Sequence, residues 1–324
     1  MKIIIRILVF LAICILLGCV AITRPSLQTN SSYIPEHSVS PEALSAHVQF
    51  LSETCLPRDH ENTLNLNKAA NYIENAFSQS TDQVELQTYV ANNYEYKNVI
   101  GFYGPESDEV FIVGAHYDAF MDFPGADDNA SGVAGLIELG ELLSKASLQS
   151  QIILVAYTLE EPPYFRTENM GSAVHAQSLI SNKVKVKLMI SLEMIGYFSE
   201  VEGSQEFPNP IMRLLYPDRG NYIAVVDQMF TNNAHSIKQA INTYTDLPAY
   251  SINAPKSIPG IDFSDHMSYW NNSYPAVMIT DTAFYRNKDY HTPEDTYEKL
   301  NYEKMSQVVY GVFKYLQVNT DKPS

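Results

Sequence analysis

Two nearly unbroken apolar runs, "VFIVG" at 110–114 and "IILVAY" at 152–157, stand on either side of a helical stripe formed by Val133, Leu136, Ile137 and Gly140. Runs without polar alternation mark strands that are covered on both faces. A strand, helix, strand succession is a βαβ unit, whose two strands lie parallel and are joined by a right-handed crossover. The chain is thereby constrained to the α/β class, with a mixed, mostly parallel central sheet flanked by helices on both faces. Further strands are expected at 84–90, 98–103, 185–192 and 276–280. Helices are expected from Ser40-Pro41-Glu42 onward with Ser40 as cap, over 66–77, and over the terminal "LNYEKMSQVVYGVFKYLQV". The stretch 198–217 has two Asn/Pro clusters and little periodicity, which predicts a long surface insertion. No internal repeat or clean boundary divides the chain, so one globular domain is expected.

Between the first run and the helix lies "GAHYDAFMDFPGADDNASGVAGL", with one histidine and four aspartates. Carboxylates crowded together keep their charge only when a cation or hydrogen-bond donors compensate them. In parallel α/β sheets ligands bind beyond the carboxyl ends of the strands, and each strand end here delivers a polar group. His116 and Asp118 follow the first run, Glu160 and Glu161 follow the second, Glu193 ends "KVKLMISL", and His291 comes after "AVMIT" and a short loop. Asp128 opens the helix of the βαβ unit, where the helix N-terminus favours a carboxylate. Imidazole with carboxylate and without thiolate suits a catalytic zinc or a comparable divalent metal. One such ion takes about three protein ligands and leaves a position open for water. The surplus of candidates predicts two ions sharing a bridging carboxylate.

The chain opens with "MKIIIRILVFLAICILLGC", two basic residues followed by an apolar run and a small residue before Cys19, the pattern of an export signal. The apolar stretch reaches Ile22, long enough for a retained membrane helix as well. "LLGC" resembles the lipobox of bacterial lipoproteins, which implies a lipidated Cys19 rather than an uncleaved helix. The expected organisation is a signal peptide at 1–18, a polar, proline-punctuated tether at 19–40, a globular domain at 41–318 and a short tail at 319–324. The domain would lie outside the cytoplasm, held to the membrane through Cys19 or an N-terminal helix. Beyond the signal and Cys19 only Cys55 remains, so no intramolecular disulfide is expected. A formal net charge of −16, with no basic stripe, argues against nucleic acid as a partner.

The segments "GAHYD", "GADDNASG", "EEPPYF", "SLEMIG" and "YHTPEDT" occur in one order and at a spacing that resembles the family M28 metallopeptidases, over roughly 41–318. The resemblance implies a di-zinc aminopeptidase acting on peptides with a free N-terminus. It implies that His116 and Glu193 hold one zinc, Glu161 and His291 the other, and Asp128 bridges them. Glu160 would be the general base, Asp118 would orient His116, and Tyr290 would help polarise the substrate carbonyl. Many relatives carry aspartate where this chain has Glu193. The family also implies a cis peptide at Asp128-Asn129. "SDHMSYW" resembles a segment at the active-site rim, which makes Asp265 and His266 candidates for the substrate pocket. Two alternatives share the fold: a glutaminyl cyclase, which uses one zinc, and a peptidase-like binding domain without catalysis.

Overall fold

The computed structural model describes residues 2–25 and 39–320. Strands β1 (Val84–Ala91), β2 (Tyr94–Tyr103), β3 (Glu109–His116), β4 (Ile152–Tyr157), β5 (Lys185–Glu193), β6 (Ile223–Asp227), β7 (Ala249–Asn253) and β8 (Ala276–Thr280) form one sheet in the order β1-β2-β4-β3-β5-β8-β6-β7. The central strands β4, β3, β5 and β8 are mutually parallel, as are β6 and β7; β1, β2 and the β6/β8 junction pair antiparallel. The helices are α1 (Lys2–Thr23), α2 (Pro41–Gln49), α3 (Thr63–Ser80), α4 (Gly132–Ser144), α5 (Gly171–Ser181), α6 (Asn233–Tyr244), α7 (His266–Asn271) and α8 (Tyr302–Thr320).

Alternation along each strand distributes side chains between two cores. In β3, Phe111, Val113 and Ala115 join the core made with α2, α3, α4, α6 and α8, while Val110 and Ile112 join the smaller one made with α5 and α7. The helix start at Ser40 has its expected chemistry: Ser40 Oγ accepts the Ala43 N–H at 3.1 Å, with Pro41 in the first turn. Because β3, β4, β5 and β8 run parallel, their carboxyl ends share one edge. There His116 lies beside Tyr157, and Glu193 beside Thr280.

The structure adds β6, α6 and β7, which the sequence pattern did not reveal. "IAVVD" and "AYSIN" are five residues each, and a run that short cannot be told from a buried helix segment by periodicity. Their pairing is non-local, β6 against β8 and β7 against β6. Residues 198–217 form no strand or α-helix, only a 3-10 turn at Pro210–Leu214. Cys55 is buried. Helix α1 continues through Cys19 without a break, and its segment Ile5–Thr23 is, among the described residues, the one helix long and apolar enough to cross a membrane. Most of the expected tether, and residues 321–324 of the expected tail, lie outside the described residues.

Gly114 marks where the sheet tolerates no added atom. A Cβ there would sit 2.2 Å from Tyr157 Cε2, and the Tyr157 ring is held by a 2.7 Å hydrogen bond between its hydroxyl and that of Tyr269. The Gly114→Ala variant is expected to lose ~1–3 kcal/mol of stability by overpacking. Denaturant unfolding measures this, and an unchanged midpoint contradicts the packing described.

Candidate metal centre

The edge formed by the parallel strands gathers His116, Asp128, Glu160, Glu161, Glu193 and His291. His116 Nε2 lies 3.4 Å from Asp128 Oδ1, 3.4 Å from Glu193 Oε2 and 3.9 Å from Glu160 Oε2. His291 Nε2 lies 3.1 Å from Asp128 Oδ2 and 3.1 Å from Glu161 Oε1. Two triads result, His116–Asp128–Glu193 and Asp128–Glu161–His291, each with its ligand atoms within 4.8 Å of one another. Asp128 belongs to both, with one carboxylate oxygen facing each imidazole.

Backbone and neighbouring side chains hold these groups in place. Leu159 (φ 61°), Met194 (φ 49°) and His291 (φ 55°) all adopt the left-handed region, turning the chain sharply beside Glu160, beside Glu193 and at His291 itself. The Asp128-Asn129 peptide is cis. Asp118 accepts the backbone N–H of Glu160 at 3.1 Å and of Glu161 at 3.0 Å, and its Oδ1 lies 3.5 Å from His116 Nδ1. One buried carboxylate therefore ties the end of β3 to the loop after β4. The His291 ring is stacked between Phe120, at 4.1 Å, and Tyr290, at 3.8 Å between centroids. Glu193 accepts from Ser264 Oγ at 2.7 Å.

Two further supports, Asp295 and Arg58, have no counterpart among the sequence candidates. Asp295 accepts the N–H groups of Asp127 and Asp128 at 3.0 and 3.1 Å, fixing the backbone at the shared carboxylate. Its only sequence signal is its place inside "YHTPEDT". Arg58 is fully buried and donates to the carbonyls of Leu51, Tyr117, Pro124 and Gly125, which clamps both ends of the 117–125 loop. Asp127 accepts from Gly196 N–H and Asn287 Nδ2 and so ties its turn to the segments that follow β5 and β8.

Electrostatics supply the test of whether a metal suits these residues. Burial pushes the Glu160 carboxyl well above the usual carboxylate range, with His116 opposing and Glu193 adding to the shift. Burial, reinforced by Asp128, raises Glu161 to about 8, and burial raises Glu193 against the pull of His116. Burial disfavours charge on His116, but Glu193 and Glu160 outweigh it and hold that imidazole well above its ordinary value. His291 is likewise carried against burial to about 10 by Asp128 and Glu161. Burial opposes ionisation of Asp128, yet the two imidazoles hold its carboxyl below its ordinary range. Protons thus crowd a buried site where acids outnumber bases, and His116 Nε2 is buried with no hydrogen-bond partner. Divalent cations would replace those protons and use that nitrogen, so the donor set fits zinc.

Beside the triads opens an apolar cavity that reaches Glu193 and Tyr290 and is walled by Met212, Tyr222, Val226, Ile252, Phe263 and Phe284. Asp265 and His266 do not line it, contrary to the expectation from "SDHMSYW". His266 is buried, with Nε2 2.8 Å from the Ile261 carbonyl oxygen and its ring against Trp270. Asp265 is fully buried, and burial raises its carboxyl to about 7. The helix start that carries this pair faces the interior, and the aromatic rim comes instead from residues around Phe263 and Phe284.

A mostly parallel α/β sheet with paired histidine–carboxylate triads at the strand ends defines the architecture of a metallohydrolase. The fold is that of BSAP, a zinc aminopeptidase from Bacillus subtilis, with a TM-score of 0.71 at 14% identity over 89% of this chain and 97% of that one. A glutaminyl cyclase from Bacteroides thetaiotaomicron shares it at a TM-score of 0.64 and 16% identity, over 89% of this chain and 99% of that one. The chain belongs to peptidase family M28, whose sequence profile matches residues 98–316. The uncharacterized protein YfbL of Escherichia coli (strain K12) is 50% identical over 291 residues, 87% of this chain and 89% of that protein. Leucine aminopeptidase 1 of Pyrenophora tritici-repentis (strain Pt-1C-BFP) is 30% identical over 215 residues, 62% of this chain but only 50% of that protein.

Asp118 touches both the imidazole of His116 and the loop that carries Glu160 and Glu161, so its loss should loosen the whole site. Asp118→Asn is expected to weaken zinc affinity by about 10–100-fold, the usual cost of removing an outer hydrogen-bond partner of a metal ligand. Competition with a chromogenic chelator measures this, and wild-type affinity in the variant contradicts the assigned orientation.

Proposed function

We propose that the chain is an exported, membrane-anchored zinc aminopeptidase that removes residues from peptides with a free N-terminus, using two zinc ions that share Asp128. The observation that carries this reading is the division of the Asp128 carboxylate, Oδ1 at 3.4 Å from His116 and Oδ2 at 3.1 Å from His291. His116 and Glu193 would hold one ion, Glu161 and His291 the other. When bound, the ions supply Lewis acidity that lowers the pKa of water and polarises the scissile carbonyl. A single-zinc glutaminyl cyclase would leave the second triad without a use.

The chain's own residues then carry the proton. The Glu160 carboxylate faces the same space as His116 Nε2, 3.9 Å away. Its raised pKa suits a group that takes a proton from water and returns it to the departing amine. That return is needed because an amine leaves poorly as an anion. Burial keeps the Tyr290 hydroxyl protonated, with Asp128 and Glu161 adding to the shift, so it can donate a hydrogen bond to the substrate carbonyl. The apolar cavity between Glu193 and Phe284 would receive the first side chain of the substrate.

Glu160→Gln is expected to keep both metals and lose about 10²–10⁴-fold in kcat; full activity in that variant contradicts its role. The cavity predicts that leucyl, methionyl and phenylalanyl anilides are cleaved on the order of 10–100-fold better than aspartyl or lysyl ones, the value of burying one such side chain. Acetylated substrates should resist cleavage. A hydrolysis panel with the purified enzyme measures all of these, and preference for charged residues contradicts the pocket assignment.

A further inference from the structure

The end of α1 does not hang free of the domain. Ile22 packs against the smaller core, Ser251 Oγ on edge strand β7 donates to the Thr23 carbonyl at 3.1 Å, and Lys238 Nζ on α6 donates to the carbonyls of Thr23 and Arg24. His235 Nδ1 on α6 lies 2.9 Å from the same Arg24 oxygen. A lysine on the last carbonyls of a helix satisfies groups that have no partner inside the helix. The first residues beyond the anchor are therefore fastened to the β7–α6 edge of the sheet before the polar stretch begins.

This placement fixes the distance to the bilayer under either form of anchor. If the chain is lipidated at Cys19, three residues lie between the lipidated residue and Thr23, a reach of at most ~14 Å over four Cα–Cα steps. If α1 is retained, its 19-residue apolar segment Ile5–Thr23 is about 28 Å long, the thickness of a hydrocarbon core, so Thr23 sits at the interface. In both cases the β7–α6 edge lies at the membrane surface.

Exposed apolar side chains occupy that same region. The turn at Pro210–Leu214 leads to Tyr216, whose hydroxyl donates to the Ser251 carbonyl, and carries Ile211 and Leu214, 64% and 84% exposed. The loop between β6 and α6 carries Phe230, 86% exposed, next to Thr231, whose carbonyl accepts from Asn253 at the end of β7. Neither 207–217 nor 228–236 contains an acidic residue, in a chain with 37 of them, and Arg213 stands exposed between the two apolar side chains. An apolar tip that carries Arg213, with the exposed Glu206 and Asp218 set back at its two ends, fits an anionic lipid surface, which the rest of this acidic protein would avoid.

We propose that Ile211, Leu214 and Phe230, together with the docked end of α1, form a membrane-contacting face that holds the catalytic domain flat against the bilayer in one orientation. The inference rests on the membrane-anchored reading above and goes beyond it, because an anchor alone would leave the domain free to tumble on its tether. The face places the wall of the substrate cavity formed by Met212, Tyr250 and Ser251 on the bilayer side of the enzyme.

The test uses the full chain reconstituted in vesicles of phosphatidylethanolamine and phosphatidylglycerol whose acyl chains are brominated. Leu214→Trp and Phe230→Trp report on the proposed face. Val90→Trp, on the exposed strand β1 at the opposite edge of the sheet and roughly 30 Å away across seven strand spacings, is the control. The single native tryptophan, Trp270, is buried and supplies a constant background. Added emission from the two reporters should fall about twofold or more relative to unbrominated vesicles, while that of Val90→Trp stays unchanged. Equal quenching at all three sites, or none at any of them in a chain that sediments with the vesicles, overturns the proposed face and leaves the anchor intact. Failure of the wild-type chain to sediment with vesicles overturns both.

Discussion

The arrangement turns on one carboxylate divided between two imidazoles. Asp128 is buried where a helix begins, its backbone N–H is held by Asp295, and its two oxygens face His116 and His291. Neither histidine could approach so closely to the same side chain unless strand β3 and the loop after β8 delivered them from opposite sides. The parallel sheet does this, because the strands that carry or precede these groups all end at the same edge. What holds the edge together is a set of buried charges satisfied mostly by backbone, with Asp118 and Asp295 accepting N–H groups and Arg58 donating to carbonyls. Such groups are costly to bury and costly to remove, which suits a site whose ligands must not drift.

Much of this was legible because the candidate positions are tied to local pattern. The apolar runs that mark β3, β4, β5 and β8 also mark where those strands stop, and the polar residue that follows each stop is the one at the edge. His116, Glu160, Glu161 and Glu193 could be placed in this way, and the structure brings them within reach of one another. The supports were not legible. Arg58 sits in "LPRDHENT", which reads as a solvated turn, and it meets its partners Pro124 and Gly125 some 66 residues on. Asp295 reaches back about 167 residues to Asp128. No periodicity in a single sequence encodes contacts of that separation. The placement of Asp265 and His266 at the pocket failed for a related reason: which way a short helix presents its residues depends on what packs over it, and Trp270 and Ile261 draw His266 inward.

The far half of the sheet ties the catalytic edge to the start of the chain. Strands β6 and β7, invisible as short runs, wall the apolar cavity through Val226 and Ile252 and receive the end of α1 through Ser251. The apolar cavity and the docked end of α1 thus share the same pair of strands.

The central claim is that Asp128 lies between two cations. Anomalous diffraction at the zinc edge, from crystals of the protein grown with zinc, tests it directly. The account predicts two peaks, one against His116 and Glu193 and one against Glu161 and His291, with the Asp128 carboxylate between them. A single peak, or density away from Asp128, contradicts it.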